Sequence, residues 1–496
     1  MIKSVIFDLA GNEIASMSVA TPLSYLKGGW VEQDMKAVWD AAKRSIKGVL
    51  RKAKVEAKNI SGISISGQGA GLWMIDRKGM PVRNAVNWLD LRASFYVKKW
   101  VKEGLHNQMY EISGSPQNPG WTGPILRWFK DNKKNVLEKA YAIIWCKDWI
   151  KYCLTGDICT DFTDPSCVGL IDPNKNGYSK RILELMGIDC FEPLLPKLTP
   201  SYHVAGETCS ETVEIGLRKG IPVASGAHDT TATPLGAGCH ETRDAFSIIG
   251  TAGIHGMVLD KPKIDVSKTC ILQYHCVPGR WTMGSWSQLA AGNLDWFLDN
   301  FFKDLSRLNK EEFYGLINKW VAEVPVGAYG IIFLPFLSGE RGPFVKPEAK
   351  AVFFGLASET RREHLLRAVY EGVAFSALHN YEAIERGSQM KIKTVRLMGG
   401  GARSSIWCKI LSDCLGARVI VPEGTEFGAK GVAINVAVAL KLYRDHNKAV
   451  DEMVRKKEEY KPNKKNMRKY KEIYGLYKAL IDALWKVWEV HSTLKW

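Results

Sequence analysis

One carboxylate and a set of glycine-rich loops could do chemistry in this chain. Asp229 stands in Gly226-Ala-His-Asp-Thr-Thr-Ala-Thr-Pro-Leu-Gly-Ala-Gly238, after a predicted strand at Pro222-Val-Ala-Ser. Small residues there let a substrate approach the backbone, and a carboxylate so placed suits a general base taking the proton of a hydroxyl. The same residue could serve as a turn cap, the commoner use of a loop aspartate. His228 beside it reads as an ordinary loop histidine. Gly250-Thr251-Ala-Gly253 offers backbone N–H groups and a hydroxyl to an anion. Gly399, Gly400, Gly401, Ala402 and Arg403 follow a predicted strand and precede a predicted helix, so they could seat a nucleotide phosphate at a helix N-terminus or make a tightly packed turn. Neither the P-loop nor the Rossmann spacing is present. An acid facing such loops is what phosphoryl transfer to a hydroxyl requires.

A second group could hold a sugar. Gln68, Gly69 and Ala70 lie in the loop Gly67-Gln-Gly-Ala-Gly71, and Asp90 and Trp121 lie near other element ends. Sugar sites combine polar side chains with an aromatic face. With 17 Trp in the chain, any single one is more often core than ligand-stacking.

The elements that must position these residues are those of an α/β protein. A hairpin is expected around Ala10-Gly-Asn-Glu, an amphipathic helix over Trp30–Lys54, and a buried strand at Ile60–Ser66. Later, a strand–loop–strand over 244–258, a long helix at Arg362–Ile384, a strand entering Gly399, a helix at Ser405–Leu415 and a strand at Arg418-Val-Ile-Val-Pro repeat that alternation. At 496 residues the chain exceeds one ordinary core, and two domains, 1–240 and 241–496, are expected around a cleft. No apolar run approaches the roughly 20 residues of a membrane span, and the N-terminal segment reads as a strand, not a signal peptide, so a cytoplasmic protein is expected. Eleven cysteines without Cys-x-x-Cys pairs point to reduced thiols and away from zinc. The net charge is +16, and much of the excess is local, with ten Lys/Arg against four acids at Lys448–Lys471, which reads as a solvated basic face rather than a nucleic-acid surface, for want of interleaved aromatics.

Together these segments resemble the FGGY carbohydrate kinases. The resemblance is carried by Leu334-Pro-Phe-Leu-Ser-Gly-Glu-Arg-Gly-Pro343, by Gly355 with His364-Leu-Leu-Arg-Ala-Val-Tyr-Glu371, and by Lys147-Asp-Trp-Ile-Lys-Tyr-Cys-Leu-Thr-Gly156 with Thr160-Asp-Phe-Thr-Asp-Pro-Ser166. It runs over nearly the whole chain. It implies two ribonuclease-H-like (actin-like) domains, with ATP and Mg²⁺ in the cleft between them. Asp229 matches the family's base, Gly250–Gly253 its second phosphate loop and Gly399–Arg403 its adenosine loop. Gln68, Gly69, Ala70, Asp90, Trp121, Asp229 and Thr230 would then contact sugar. No metal ligand is assigned, and a homodimer is left open.

Within the family, Ser66-Gly-Gln-Gly-Ala-Gly-Leu and Trp121-Thr-Gly-Pro-Ile-Leu-Arg-Trp-Phe-Lys resemble members that act on L-xylulose and 3-keto-L-gulonate. The expected substrate is therefore a ketopentose or keto-sugar acid, with D-xylulose, a polyol, or a non-catalytic binding role as alternatives. Family members place a strand and a Gly-Ile-Asp-x-Gly-Thr loop ahead of the segment that here is Lys3–Asp8. The present sequence lacks that stretch. If it is truly lost, a weakened first sheet and little kinase activity are expected.

Overall fold

The computed structural model describes residues 1–305 and 307–494. The expected hairpin forms: β1 (Ile2–Phe7) pairs antiparallel with β2 (Glu13–Val19). α1 (Met35–Ala53) is shorter than the predicted helix, because the Asp34 carboxylate accepts from the Lys36 and Ala37 N–H groups and starts it there. Trp30–Gln33 is instead a strand. α1 buries Met35, Val38, Ala41, Ala42, Val49 and Leu50, and Ser45 Oγ on the same face lies 2.8 Å from Ser4 Oγ of β1.

The predicted strand at Ile60–Ser66 forms only in part. Its backbone bonds on one side alone: the Ile63 N–H donates to Pro222 O, and the Ala224 and Ala227 N–H groups donate to Ile63 O and Ile65 O. Only β3 (Ser66–Gly67) becomes a ladder, parallel to β4 (Ala227–His228). On the other side lies a cavity of about 1120 Å³, lined by β1, by residues 59–68 and by part of a helix from the second half. Ser64 Oγ and Ser66 Oγ are buried beside it without a hydrogen-bond partner. The first half therefore holds short ladders, not one continuous sheet. Two helices complete its part of the site: α2 (Cys146–Thr155) and α3 (Thr163–Cys167). α4 (Asp229–Gly236) follows β4 directly.

The second half is built on one seven-stranded sheet. Its strands are β5 (Ala245–Ile249), β6 (Gly253–Leu259), β7 (Ile271–Tyr274), β8 (Trp281–Ser287), β9 (Thr394–Met398), β10 (Arg418–Pro422) and β11 (Lys456–Tyr460), in spatial order β7-β8-β6-β5-β9-β10-β11. β5, β9 and β10 are parallel neighbours. The helices are α5 (Arg362–Ser388), α6 (Ser405–Leu415), α7 (Phe427–Ala439) and α8 (Lys464–Thr493). α5, α6 and α8 share the largest hydrophobic core with this sheet. α7 crosses α4 of the first half at very close range: a Cβ on Gly236 would fall 1.9 Å from Phe427 O, and one on Gly431 1.9 Å from Ala232 O. In the basic stretch, Lys448, Lys456 and Lys457 form ion pairs with Glu452, Glu459 and Glu458. No helix among the described residues is long and apolar enough to cross a membrane.

Candidate active site

Parallel strands deliver ligand loops at their carboxyl ends, and β5 and β9 do so side by side. The turn Gly250–Ala252 leaves β5, with the Gly250 N–H donating to Ala252 O. The Thr251 side chain is exposed, while its carbonyl takes the Ala290 N–H at 2.8 Å. Gly253 is buried at the start of β6. Gly399 leaves β9 at φ +87° and ψ −170°, a region almost reserved for glycine. A Cβ there would meet Ile249 O at 2.6 Å, so the two loops touch. Gly400–Arg403 then make one tight helical turn, in which Gly401 is buried and Arg403 exposed. Ser404 caps α6 by accepting the Trp407 N–H.

The carboxylate singled out in the sequence lies in the first half. Asp229 is the first residue of α4, and its side chain is 52% exposed where that of His228 is 7% exposed. Asp229, Gln68 and Gly399 line the same cavity. Gln68 Nε2 donates to Gln33 Oε1 at 3.1 Å. Gly69 and Ala70 are buried behind it, Ala70 at φ 62°. Thr230 Oγ1 lies 2.7 Å from His228 Nδ1 and donates to Gln273 Oε1 at 3.1 Å.

Asp90 and Trp121 are placed differently. Asp90 is fully buried, and both its oxygens are taken inside the protein. Oδ2 accepts the Val31 N–H at 2.6 Å, while Oδ1 takes the Arg92 N–H and Nε at 2.8 Å. Asp90 thereby braces Arg92, which also reaches Glu32 and stacks over Trp30. Trp121 is 6% exposed and packs in the first-half core at the start of the helix Thr122–Asn132. Neither lines the cavity, nor do Gly69, Ala70, Thr230, the loop Gly250–Gly253 or Gly400–Arg403; of the expected site residues only Gln68, Asp229 and Gly399 do.

Behind Asp229 lies a charge cluster that the sequence did not single out. Lys147 Nζ, fully buried on α2, sits 2.8 Å from Asp148, 3.0 Å from Asp161 and 3.2 Å from Asp164. Asp161 Oδ1 and both Asp164 oxygens find no aligned hydrogen bond. Burial raises the Asp164 carboxyl to about 7 against the pull of Lys147 and His228. The available signal was the spacing Lys147-Asp148 and Asp161-x-x-Asp164, with charged residues set among apolar ones.

The chain was then compared with known proteins. Residues 1–236 match the N-terminal domain of the FGGY family of carbohydrate kinases, and residues 245–440 match its C-terminal domain. The chain belongs to the FGGY family of carbohydrate kinases. Its fold is the family's pair of actin-like domains. A probable L-xylulose kinase of Pasteurella multocida is 28% identical, the alignment covering 97% of this chain and 96% of the relative. The L-xylulose/3-keto-L-gulonate kinase of Escherichia coli is 27% identical, at 97% and 95% coverage. A solved xylulose kinase from Rhodospirillum rubrum superposes with a TM-score of 0.88 at 25% identity, covering 98% of this chain and 97% of that one. This FGGY chain is thus a phosphotransferase in class, with sugar and ATP as its substrates.

Such kinases work with a divalent cation on the nucleotide. Among the described residues no group of three or more His, Cys, Asp or Glu side chains could hold a metal alone. That donor set fits Mg²⁺ carried by ATP, because Mg²⁺ keeps several waters and needs only one or two carboxylates besides phosphate oxygens.

Proposed function

We propose that this kinase phosphorylates a hydroxyl of a ketopentose or keto-sugar acid, such as L-xylulose or 3-keto-L-gulonate, at the expense of ATP. Residues 1–240 act as the sugar-binding domain and residues 241–496 as the nucleotide-binding domain. Gln68, Gly69, Ala70 and Thr230 line the sugar's place, with Asp90 and Trp121 supporting its walls from behind. Asp229 accepts the proton of the attacking hydroxyl. The N–H groups of Gly250–Gly253 and of Gly399–Arg403 hold the phosphates and stabilise charge developing on the transferred group. Mg²⁺ brought by the nucleotide would supply positive charge against the phosphates. The observation behind this reading is that Asp229, half exposed, and Gly399 line one cavity between the two halves.

The substrate preference rests on the names of the two relatives and on the loop Gly67-Gln-Gly-Ala-Gly71. A coupled ADP-release assay over L-xylulose, 3-keto-L-gulonate, D-xylulose, L-ribulose, xylitol, erythritol and glycerol tests it. The highest kcat/KM is expected for L-xylulose or 3-keto-L-gulonate. A preference for D-xylulose or for a polyol would reject the assignment. The open side of residues 60–66 along the cavity favours a second reading, a protein that binds sugar or nucleotide without turnover. Silence over the whole panel, with sugar binding retained, would favour it.

A further inference from the structure

The histidine that reads in sequence as an ordinary loop residue is buried between two carboxylates. On one side, His228 Nε2 lies 3.3 Å from Asp229 Oδ1. On the other, an ideal Cβ built on Gly69 would fall 2.6 Å from the His228 ring and 2.7 Å from Asp164 Oδ1, so the glycine is what lets these groups stand together. The backbone is fixed as well: the His228 N–H donates to Thr163 Oγ1 at 2.8 Å, and Thr231 Oγ1 donates to the His228 carbonyl at 3.0 Å.

The surroundings of the ring favour its charged form. Thr230 Oγ1 donates to Gln273 Oε1 at 3.1 Å, which leaves its lone pairs to accept from His228 Nδ1, 2.7 Å away. On the other side Nε2 stands 3.3 Å from a carboxylate oxygen of Asp229, within ion-pair range. An imidazolium, protonated on both nitrogens, suits both neighbours.

We propose that His228 is a cationic positioning residue, held between the buried Asp164 cluster and Asp229, which fixes the Asp229 carboxylate in the orientation that receives the sugar hydroxyl's proton. The proposal rests on Asp229 being the base of the sugar-kinase reaction. The charged groups facing the ring are Asp229 of α4 and Asp164 of α3, with Lys147 of α2 behind Asp164; Cys167 of α3 also faces it. Burial works most strongly against a charge on His228, yet Cys167, Asp229 and Asp164 outweigh it and lift the pKa to about 10. His228 therefore stays charged through the neutral range, and Asp229 keeps a fixed partner.

Two measurements test this. In protein labelled with ¹⁵N-histidine, one of the ten histidines should stay protonated on both nitrogens up to pH 8.5, and its signals should vanish in His228→Gln. In Asp229→Asn that histidine should titrate at lower pH. In turnover, His228→Gln should lower kcat about 100-fold while the sugar KM changes less than about threefold, because the base is misplaced and the sugar contacts are not. Absence of any doubly protonated histidine at pH 8.5, or an unchanged kcat in His228→Gln, would overturn the proposal. If the wild-type chain shows no sugar-dependent ADP release, the kinase reading falls, and the NMR arm still decides the charge of His228.

Discussion

The two halves of this FGGY kinase handle buried charge in opposite ways. In the second half, Arg367 is buried against α8, and each guanidinium nitrogen has a partner: Glu371 at 2.7 Å, Val321 O at 2.9 Å and Tyr470 OH at 2.7 Å. That network staples α5 to α8 beneath a continuous sheet. In the first half, Lys147 faces three carboxylates whose oxygens are partly unpaired, beneath strands that pair only in short ladders. The Arg367 network leaves only Glu371 Oε2 without a partner, whereas the Lys147 cluster leaves Asp161 Oδ1 and both Asp164 oxygens so; the better satisfied network rigidifies its core, and the unpaired oxygens make the other costly. In the proposed reading, the half with the continuous sheet presents backbone loops to phosphate, and the half with the lysine–carboxylate cluster presents the acid.

The largest expected effects come from removing the cations. Lys147→Met should destabilise the fold by about 4 kcal/mol, and Arg367→Met by about 3 kcal/mol, because one leaves Asp161 and Asp164 without a lysine, Asp148 keeping Lys151, and the other leaves one carboxylate. Denaturant unfolding measures both, and a smaller effect at Lys147 than at Arg367 would break the comparison. A mid-sized effect is expected at the loop contact. Gly399→Ala forces a side chain into a glycine-only conformation against Ile249 O, 2.6 Å away, and should lower stability by about 2 kcal/mol. It should also raise the KM for ATP while sparing that for sugar. Equal changes in both would show that the loop does not act on nucleotide alone.

The smallest effect is the one that separates the halves by sign. Burial depresses His255 and His275 to about 3, and His379 and His446 to about 4. These bases stay neutral when folded, so their contribution is present above about 6.5 and is lost as pH falls through that window. Glu340, raised to about 7 by burial, opposes them in part. In the first half the signs reverse. Asp164, raised to about 7, holds a proton that the unfolded chain releases, so stability falls as pH rises from about 4 to 7. His228, raised to about 10, contributes fully below about 6.5 and loses that contribution as pH rises toward 10. His106, lowered by burial, opposes this. Hydrogen-exchange protection should therefore weaken first around β5–β9 in acid and around β4 and α3 in alkali. Uniform loss at both extremes would contradict the contrast.

Much of this was legible before the structure. The hairpin at Ala10-Gly-Asn, the helix Ser405–Leu415 and the strand Arg418–Pro422 follow from local pattern, and they stand where the pattern puts them. Ile60–Ser66 reads as a strand just as plainly, yet a ladder needs a partner strand in register along its length, and sequence periodicity carries no information about neighbours. Asp229 and the two glycine loops were picked out by small residues at element ends, although a turn cap or a tightly packed turn uses the same residues. Asp90 was singled out for its type and place, but a local reading cannot show that Arg92 two residues on takes its oxygens. His228 was passed over for the converse reason: Asp164, which faces it, lies 64 positions away.

The central claim is that the first half supplies the base and the second half the phosphate seat. The direct measurement is Asp229→Ala in sugar-dependent ADP release, alongside sugar binding by calorimetry. A fall in kcat of about 1000-fold with sugar affinity retained within a few-fold is the predicted result. Turnover within tenfold of wild type would place the base elsewhere and contradict the account.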